Sequence, residues 1–167
     1  TAESFFTPAH RVVVSVPATT SNLGPGFDAF GLSLDLRNRI VVERADEFSI
    51  NIFGEGEGGT ELIPCTESNL VVESCWKALE SMGKASSMPP LRFECHNTVP
   101  SRRGLGSSSS ALVAGLAAGL ALGGKELYTP HVKRQLLQLA ADEEGSADNI
   151  AAAIYGGFQV SFKSTDG

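Results

Sequence analysis

A glycine- and serine-rich segment, residues 100–111, lies between a predicted strand and an alanine-rich helix and reads PSRRGLGSSSSA. Gly104 and Gly106 remove side chains where an anion would have to approach the backbone closely. The serines that follow begin the helix, where unpaired N–H groups and the helix dipole attract negative charge. The segment therefore predicts a phosphate site, with an ordinary helix-capping loop as the alternative.

Two common nucleotide-binding patterns are absent from this glycine–serine segment. It contains neither GxxxxGK[ST] nor GxGxxG, which excludes a P-loop and a Rossmann fingerprint here. The formal net charge of -6 also argues against a general nucleic-acid binder, because such proteins need a basic face. An acidic chain can still bind ATP through backbone amides and a metal ion.

The order of the predicted elements favours an α+β fold in two layers, a sandwich of one sheet and its helices. The pattern predicts strands at residues 12–16, 36–43, 48–53, 91–97 and 158–162, and helices at residues 69–82, 111–122 and 130–141. The second and third strands are expected to pair with each other. The apolar stretch 111–122 is far shorter than the roughly 20 residues of a membrane span, and its Ala and Gly content fits a buried helix packed closely on a sheet.

The three cysteines, Cys65, Cys75 and Cys95, are too widely spaced for a CxxC pair or a zinc site. We expect small buried hydrophobic residues in a reducing compartment. No signal peptide is recognisable, so a cytoplasmic location is expected. The chain begins at Thr1 rather than at methionine, which leaves open a plastid location after removal of a transit segment.

A second loop rich in glycine and proline, residues 16–32, reads VPATTSNLGPGFDAFGL and carries one amide, Asn22, and one acid, Asp28. A carboxylate suits an ammonium or hydroxyl group, and an amide can both donate and accept hydrogen bonds. The alternative is that Asn22 caps a turn and Asp28 begins one.

The glycine–serine segment resembles the PxxxGLGSS phosphate-binding signature of the GHMP kinases. The resemblance implies the ribosomal protein S5 domain 2-like fold, with ATP and Mg²⁺ as cofactors and Ser108 as a metal ligand. It also implies that ATP contacts Asn69 and most of the glycine–serine segment. The residues concerned are Asn69, Pro100, Arg102, Gly104, Leu105, Gly106, Ser107, Ser108 and Ser109. Asn69 belongs to an SNLV sequence similar to the family's adenine-pocket element, although it is also a natural N-cap.

Two further segments resemble the homoserine kinase branch of the family. Residues 16–32 are similar to PATSANLGPGFD, which implies that Asn22 and Asp28 bind the substrate. Residues 144–158, EGSADNIAAAIYGGF, are similar to EGHPDN-V-APAIxGGF, which implies that Asp148 and Asn149 face the substrate. Taken together, the two resemblances imply catalytic roles for Asp28, Asp148 and Asn149. Glu144 matches a metal-binding acid, with Glu143 as the alternative. Ser146–Ala147 departs from the family's His-Pro or His-Ala.

The resemblance implies transfer of the γ-phosphoryl group of ATP to the side-chain hydroxyl of L-homoserine, a step of threonine biosynthesis. The alternatives are a GHMP kinase for another small alcohol and a non-catalytic nucleotide-binding domain. Residues 1–167 would form the N-terminal ATP-binding domain, about half of the family's usual length, with a ferredoxin-like domain to follow in the full protein. We expect little turnover from this segment alone, no nucleic-acid or membrane partner, and the homodimer that is frequent in the family.

Overall fold

The computed structural model describes residues 9–162. In chain order, the regular elements are β1 (Arg11–Ser21), β2 (Phe30–Arg44), β3 (Ser49–Gly54), α1 (Leu70–Ser81), β4 (Leu91–Asn97), α2 (Ser107–Leu122), α3 (Pro130–Glu144), α4 (Asp148–Tyr155) and β5 (Phe158–Val160). A short 3-10 turn, Ala85–Ser87, precedes β4. Asn69 and Thr129 cap α1 and α3 with their side chains, as their sequence positions predict.

The strands form one sheet in the order β1-β2-β4-β3, and β5 also pairs with β2. The strand β2 is long enough to pair with β1 on one side and, on the other, with both β4 and β5. Only β3 and β4 run parallel within the described residues. The predicted pairing of the second and third strands is therefore wrong. The strand β4 lies between them because its side chains Leu91, Phe93 and Cys95 are almost completely buried and require an interior position.

Helices cover one face of the sheet, which confirms the predicted two-layer α+β architecture. The core lies between this face and helices α1, α2 and α4, where Val16, Ile40, Val42 and Phe93 pack against the helices. The opposite face carries exposed side chains such as Arg39. Within residues 9–162, no helix is long and apolar enough to cross a bilayer.

The alanine-rich helix α2 is buried, as predicted, but its glycines approach α1 rather than the sheet. A Cβ added at Gly115 would clash with the carbonyl of Val71, and one added at Gly119 would clash with the carbonyl of Cys75. The two helices therefore lie close together because α2 lacks side chains along this line. This packing fixes the start of α2 relative to α1.

Two differences between the predicted and the observed elements matter for the site. The strand β1 does not stop at Pro17 but continues to Ser21, with a shift of register between Pro17 and Thr19. Residues 148–155 form α4, a helix that the periodicity did not predict. Both changes bring polar residues from near the start and near the end of the chain together beside the glycine–serine segment.

Two of the three cysteines are buried, as predicted. Cys75 and Cys95 are buried free thiols, and Cys65 is half-buried. Burial raises the pKa of the Cys75 thiol to about 12. Burial, together with the nearby Cys65, raises the pKa of Cys95 to about 12. These two thiols remain protonated and unreactive at neutral pH.

Candidate active site

The turn of the glycine–serine segment presents open backbone amides. Gly106 has a left-handed conformation, with φ of 62°, and begins α2 without a side-chain cap. Gly104 is also left-handed, and nothing lies within 4 Å of the position that a Cβ would take there. Within residues 9–162, the amides of residues 104–109 have no hydrogen-bond acceptor, whereas the next amide, that of Ser110, bonds to the carbonyl of Gly106. The turn can therefore bind an anion at the positive end of α2.

The serines at the start of α2 point in different directions. Ser108 is exposed, whereas Ser109 is buried and its hydroxyl donates to Oε1 of Glu144 at 3.0 Å. The neighbouring Glu143 pairs instead with Lys77 of α1. Of the two acids, Glu144 is thus the one beside the glycine–serine segment. Hydroxyl and carboxylate oxygens are the ligands that Mg²⁺ prefers, so this donor set fits a magnesium ion bound together with phosphate.

A cleft of about 160 Å³ lies beside the start of α2 and is bordered by Asn69, Ser107 and Ser108. Its other walls include Leu62, Ile63, Pro64 and Leu70, an apolar lining that suits a planar base. The Asn69 side chain is already engaged. Its Nδ2 donates to the carbonyl of Pro64 at 2.8 Å, and its Oδ1 accepts from the amide of Val71 at 3.0 Å. The N-cap role is present, and contact with adenine stays a prediction.

Asn149, at the start of α4, is held by two hydroxyl groups of β1. Thr19 Oγ1 donates to Asn149 Oδ1 at 2.8 Å, and Asn149 Nδ2 donates to Ser21 Oγ at 2.8 Å. The preceding residue, Asp148, is only 2% exposed. Its Oδ1 accepts from the Ser146 hydroxyl at 2.9 Å and from the amide of Asn149 at 2.8 Å. One oxygen of the Asp148 carboxylate is therefore engaged at the start of α4.

Asn22 and Asp28 lie in the exposed loop between β1 and β2, and both have a left-handed backbone. Asn22 Oδ1 accepts a hydrogen bond from the amide of Asp28 at 2.9 Å, so the turn-capping role is present. The Asn22 amide nitrogen also donates to Ser21 Oγ at 3.2 Å. Asp28 borders a second cleft, of about 320 Å³, together with Ser146 and Ser161. The structure thus brings both predicted residues close to the start of α4.

Two further residues predicted to contact ATP, Pro100 and Arg102, lie before the open turn. Arg102 is exposed and has a left-handed backbone, and Pro100 is half-buried before the turn. Between them, Ser101 donates its hydroxyl and its amide to the carboxylate of Glu55. These hydrogen bonds from Ser101 lower the pKa of Glu55 below its ordinary value. Glu55 thereby ties the acidic turn after β3 to the start of the glycine–serine segment.

Three residues near the site were missed by sequence reasoning: Thr19, Asn38 and Glu55. Asn38 is buried, and its Oδ1 accepts from the amides of Thr98 and Val99 at 2.9 and 3.0 Å, just before the segment begins. In the sequence Asn38 stands between two arginines, so no local pattern marked it as a buried amide. For Thr19 and Glu55, no local pattern distinguishes them from ordinary strand and turn residues.

Residues 69–157 match the family described as GHMP kinases N terminal domain, which is slightly more than half of the 167-residue chain. The chain belongs to the GHMP kinase family. It is similar to a homoserine kinase of Corynebacterium efficiens, with 41% identity over 153 residues, 91% of this chain and 47% of the relative. The fold of one sheet and four helices in the described residues agrees with that of GHMP kinase N-terminal domains.

Solved structures lead to the same family. A homoserine kinase from Cytophaga hutchinsonii is 30% identical, with a TM-score of 0.71 over 95% of this chain and 50% of that one. A mevalonate kinase of Methanococcus jannaschii has a TM-score of 0.67 at 14% identity, over 94% of this chain and 56% of that one, so that likeness shows the fold alone. The chain spans about half the length of the relatives that it matches.

Proposed function

We propose that this GHMP kinase domain binds ATP and Mg²⁺, and that the whole protein phosphorylates the side-chain hydroxyl of L-homoserine. The observation that carries the proposal is the open amide turn at residues 104–109, which lies next to Glu144 and is joined through Thr19 to Asn149. Relatives about 40% identical that are named homoserine kinase support the choice of substrate.

The nucleotide would lie along the start of α2. The amides of residues 104–109 would bind the phosphates, and the apolar cleft beside Asn69 would hold the base. Pro100 and Arg102 would border the phosphates at the outer end of the segment. Because the turn is open and preformed, little reorganisation is needed when the polyanion arrives.

Ser108 and Glu144 would hold the magnesium ion, with Ser109 fixing the Glu144 carboxylate. The ion would supply neutralisation of phosphate charge, which is the main electrostatic demand of phosphoryl transfer. The chain itself contributes the hydroxyl and the carboxylate, and it keeps Glu143 away through its pairing with Lys77.

The acceptor hydroxyl would be aimed by Asn149, while Asn22 and Asp28 would bind the rest of the amino acid. The carboxylate of Asp28 is exposed beside the second cleft and suits the ammonium group of homoserine. Asp148 accepts hydrogen bonds from Ser146 and from the amide of Asn149, so its part in catalysis would be to orient the start of α4.

The domain assignment belongs to the same proposal. Residues 1–167 would be the ATP-binding domain, and a ferredoxin-like domain would complete the site in the full protein, consistent with relatives of twice this length. A homodimer and a cytoplasmic location remain predictions.

The test uses the protein at its full natural length. ATP consumption is measured in parallel with L-homoserine, mevalonate and galactose. We expect turnover with L-homoserine and at most background with the other two alcohols. Turnover with mevalonate or galactose instead would show that the proposed substrate is wrong and that the proposed kinase activity is right. Nucleotide binding without turnover on any alcohol would favour the non-catalytic alternative.

A second measurement tests the metal–nucleotide site. Ser108→Ala should abolish Mg²⁺-dependent ATP turnover and leave the thermal unfolding temperature close to that of the wild type, because the side chain is exposed. Ser87→Ala, an exposed serine of the 3-10 turn, serves as the matched control. Unchanged turnover in Ser108→Ala would count against the proposed metal site.

A further inference from the structure

Thr19 connects the two halves of the candidate site. It follows the register shift in β1, and its side chain is completely buried. Its amide donates to the carbonyl of Leu105 at 3.0 Å, in the turn of the glycine–serine segment. Its hydroxyl donates to Asn149 Oδ1 at 2.8 Å, at the start of α4. Thr19 therefore contacts both the predicted phosphate-binding turn and Asn149, the predicted substrate-binding residue.

The contact between Thr19 and the turn is close. A Cβ added at Gly106 would overlap the Thr19 hydroxyl, so the left-handed glycine lies directly against this side chain. Gly104 has no such neighbour. The position of the turn is thus set by Thr19 on its inner side, while its outer side stays open.

The hydroxyl of Thr19 also sets the orientation of the side-chain amide of Asn149. A hydroxyl has a single proton to donate, and here it goes to Asn149 Oδ1. The opposite end of the same amide donates to Ser21, two residues further along β1 and on the same side of the strand. The Asn149 amide is consequently held at both ends by β1.

We propose that Thr19 is a positioning residue that fixes the Asn149 amide relative to the turn at residues 104–106, and so aligns the acceptor hydroxyl with the phosphate to be transferred. The proposal rests on the proposed kinase function. Because Thr19 is completely buried, it would act through Asn149 and Leu105 rather than by contact with a substrate. Alignment of this kind is sensitive, because a displacement of about 1 Å can reduce a rate on the order of 100-fold.

The kinetic test compares two substitutions in the full-length protein. Thr19→Val keeps the shape of the side chain and removes the hydroxyl, whereas Thr19→Ser keeps the hydroxyl. We expect Thr19→Val to lower kcat for L-homoserine by roughly 10- to 100-fold while KM for MgATP changes much less. Thr19→Ser should recover most of kcat. Thr20→Val, at the half-buried neighbouring position, is the matched control and should leave kcat unchanged.

A second readout does not depend on turnover. The side-chain amide of Asn149 gives a pair of NMR signals, which should shift and broaden in Thr19→Val but not in Thr19→Ser or Thr20→Val. If the wild type fails to phosphorylate L-homoserine, the proposed substrate is wrong, and the amide signals still test the contact of Thr19 with Asn149. If Thr19→Val does not fold, Ser21→Ala removes the other anchor and should lower kcat in the same direction.

Three results would overturn the proposal. The first is a kcat and an Asn149 signal in Thr19→Val that match the wild type. The second is Thr19→Ser being as impaired as Thr19→Val, which would assign the effect to packing rather than to the hydroxyl. The third, relevant where Thr19→Val does not fold, is an unchanged kcat in Ser21→Ala.

Discussion

Glu143 and Glu144 are adjacent in sequence but have different surroundings, because neighbouring residues of a helix face directions about 100° apart. Glu143 pairs with Lys77 of α1, and Glu144 accepts from Ser109 at the start of α2. The sequence motif alone left both acids open as metal ligands. The direction of the two side chains at the end of α3 favours Glu144.

Replacing each acid by its amide separates these roles. Glu144→Gln removes a negative charge next to the proposed metal, so we expect kcat to fall on the order of 10-fold or more and the Mg²⁺ requirement to rise. Glu143→Gln makes the same chemical change on an exposed ion pair, whose loss costs about 1 kcal/mol or less. The measurement is a Mg²⁺ titration of ATP turnover in both variants. Equal effects of the two substitutions would contradict the assignment.

At the scale of elements, the start of α2 is placed by the contact between α2 and α1. Gly115 and Gly119 lie four residues apart, on one side of α2, and face the carbonyls of Val71 and Cys75 in α1. The absence of side chains lets the helix backbones come close together. Larger residues at these positions would push the helices apart and displace the glycine–serine turn at the start of α2.

Gly119→Ala is therefore expected to destabilise the protein, although alanine favours a helix by about 1 kcal/mol over glycine. Overpacking of a tight core costs about 1–3 kcal/mol, which exceeds the propensity gain. Ala121→Gly, at a half-buried position of the same helix, reports the propensity effect by itself. Urea denaturation measures both free energies of unfolding. A stabilised Gly119→Ala variant would show that the helices are not in close contact.

Local pattern predicted most elements but not their arrangement. The helices α1 and α3 begin at their predicted caps because Asn69 and Thr129 have short-range partners. The pairing of β2 with β4 depends on contacts between distant residues such as Val42 and Phe93, which no local pattern encodes. The helix α4 was missed because its eight residues are too few for a clear helical period.

At the scale of the whole molecule, the site is assembled from segments more than 100 residues apart. The glycine–serine segment was predictable because its chemistry is local, in glycines and a helix start. The contact of Thr19 with Asn149 joins residues 130 positions apart, and only the folded sheet reveals it. The motifs thus indicate which side chains are proposed to carry the chemistry, and the fold determines which residues hold them in place.

The buried thiols make a prediction about the stability of the whole domain at alkaline pH. In the unfolded chain a thiol has a pKa of about 9.0, whereas burial raises the pKa of Cys75 and Cys95 to about 12 in the fold. Above pH 9 the unfolded state loses these protons and the folded state keeps them. The unfolded state then binds fewer protons, so the free energy of unfolding falls as the pH rises between these values.

Two thiols together contribute at most about 2.7 kcal/mol per pH unit in this range, since one proton corresponds to about 1.36 kcal/mol per unit. Urea denaturation at pH 8, 9 and 10 would measure the slope in the wild type and in a Cys75→Ala, Cys95→Ala variant. The variant loses packing and is less stable at pH 8, but its free energy should depend less steeply on pH. The contribution of every other group is common to both proteins and cancels in the comparison of slopes. Parallel curves would mean that these thiols ionise as readily in the folded protein as in the unfolded chain.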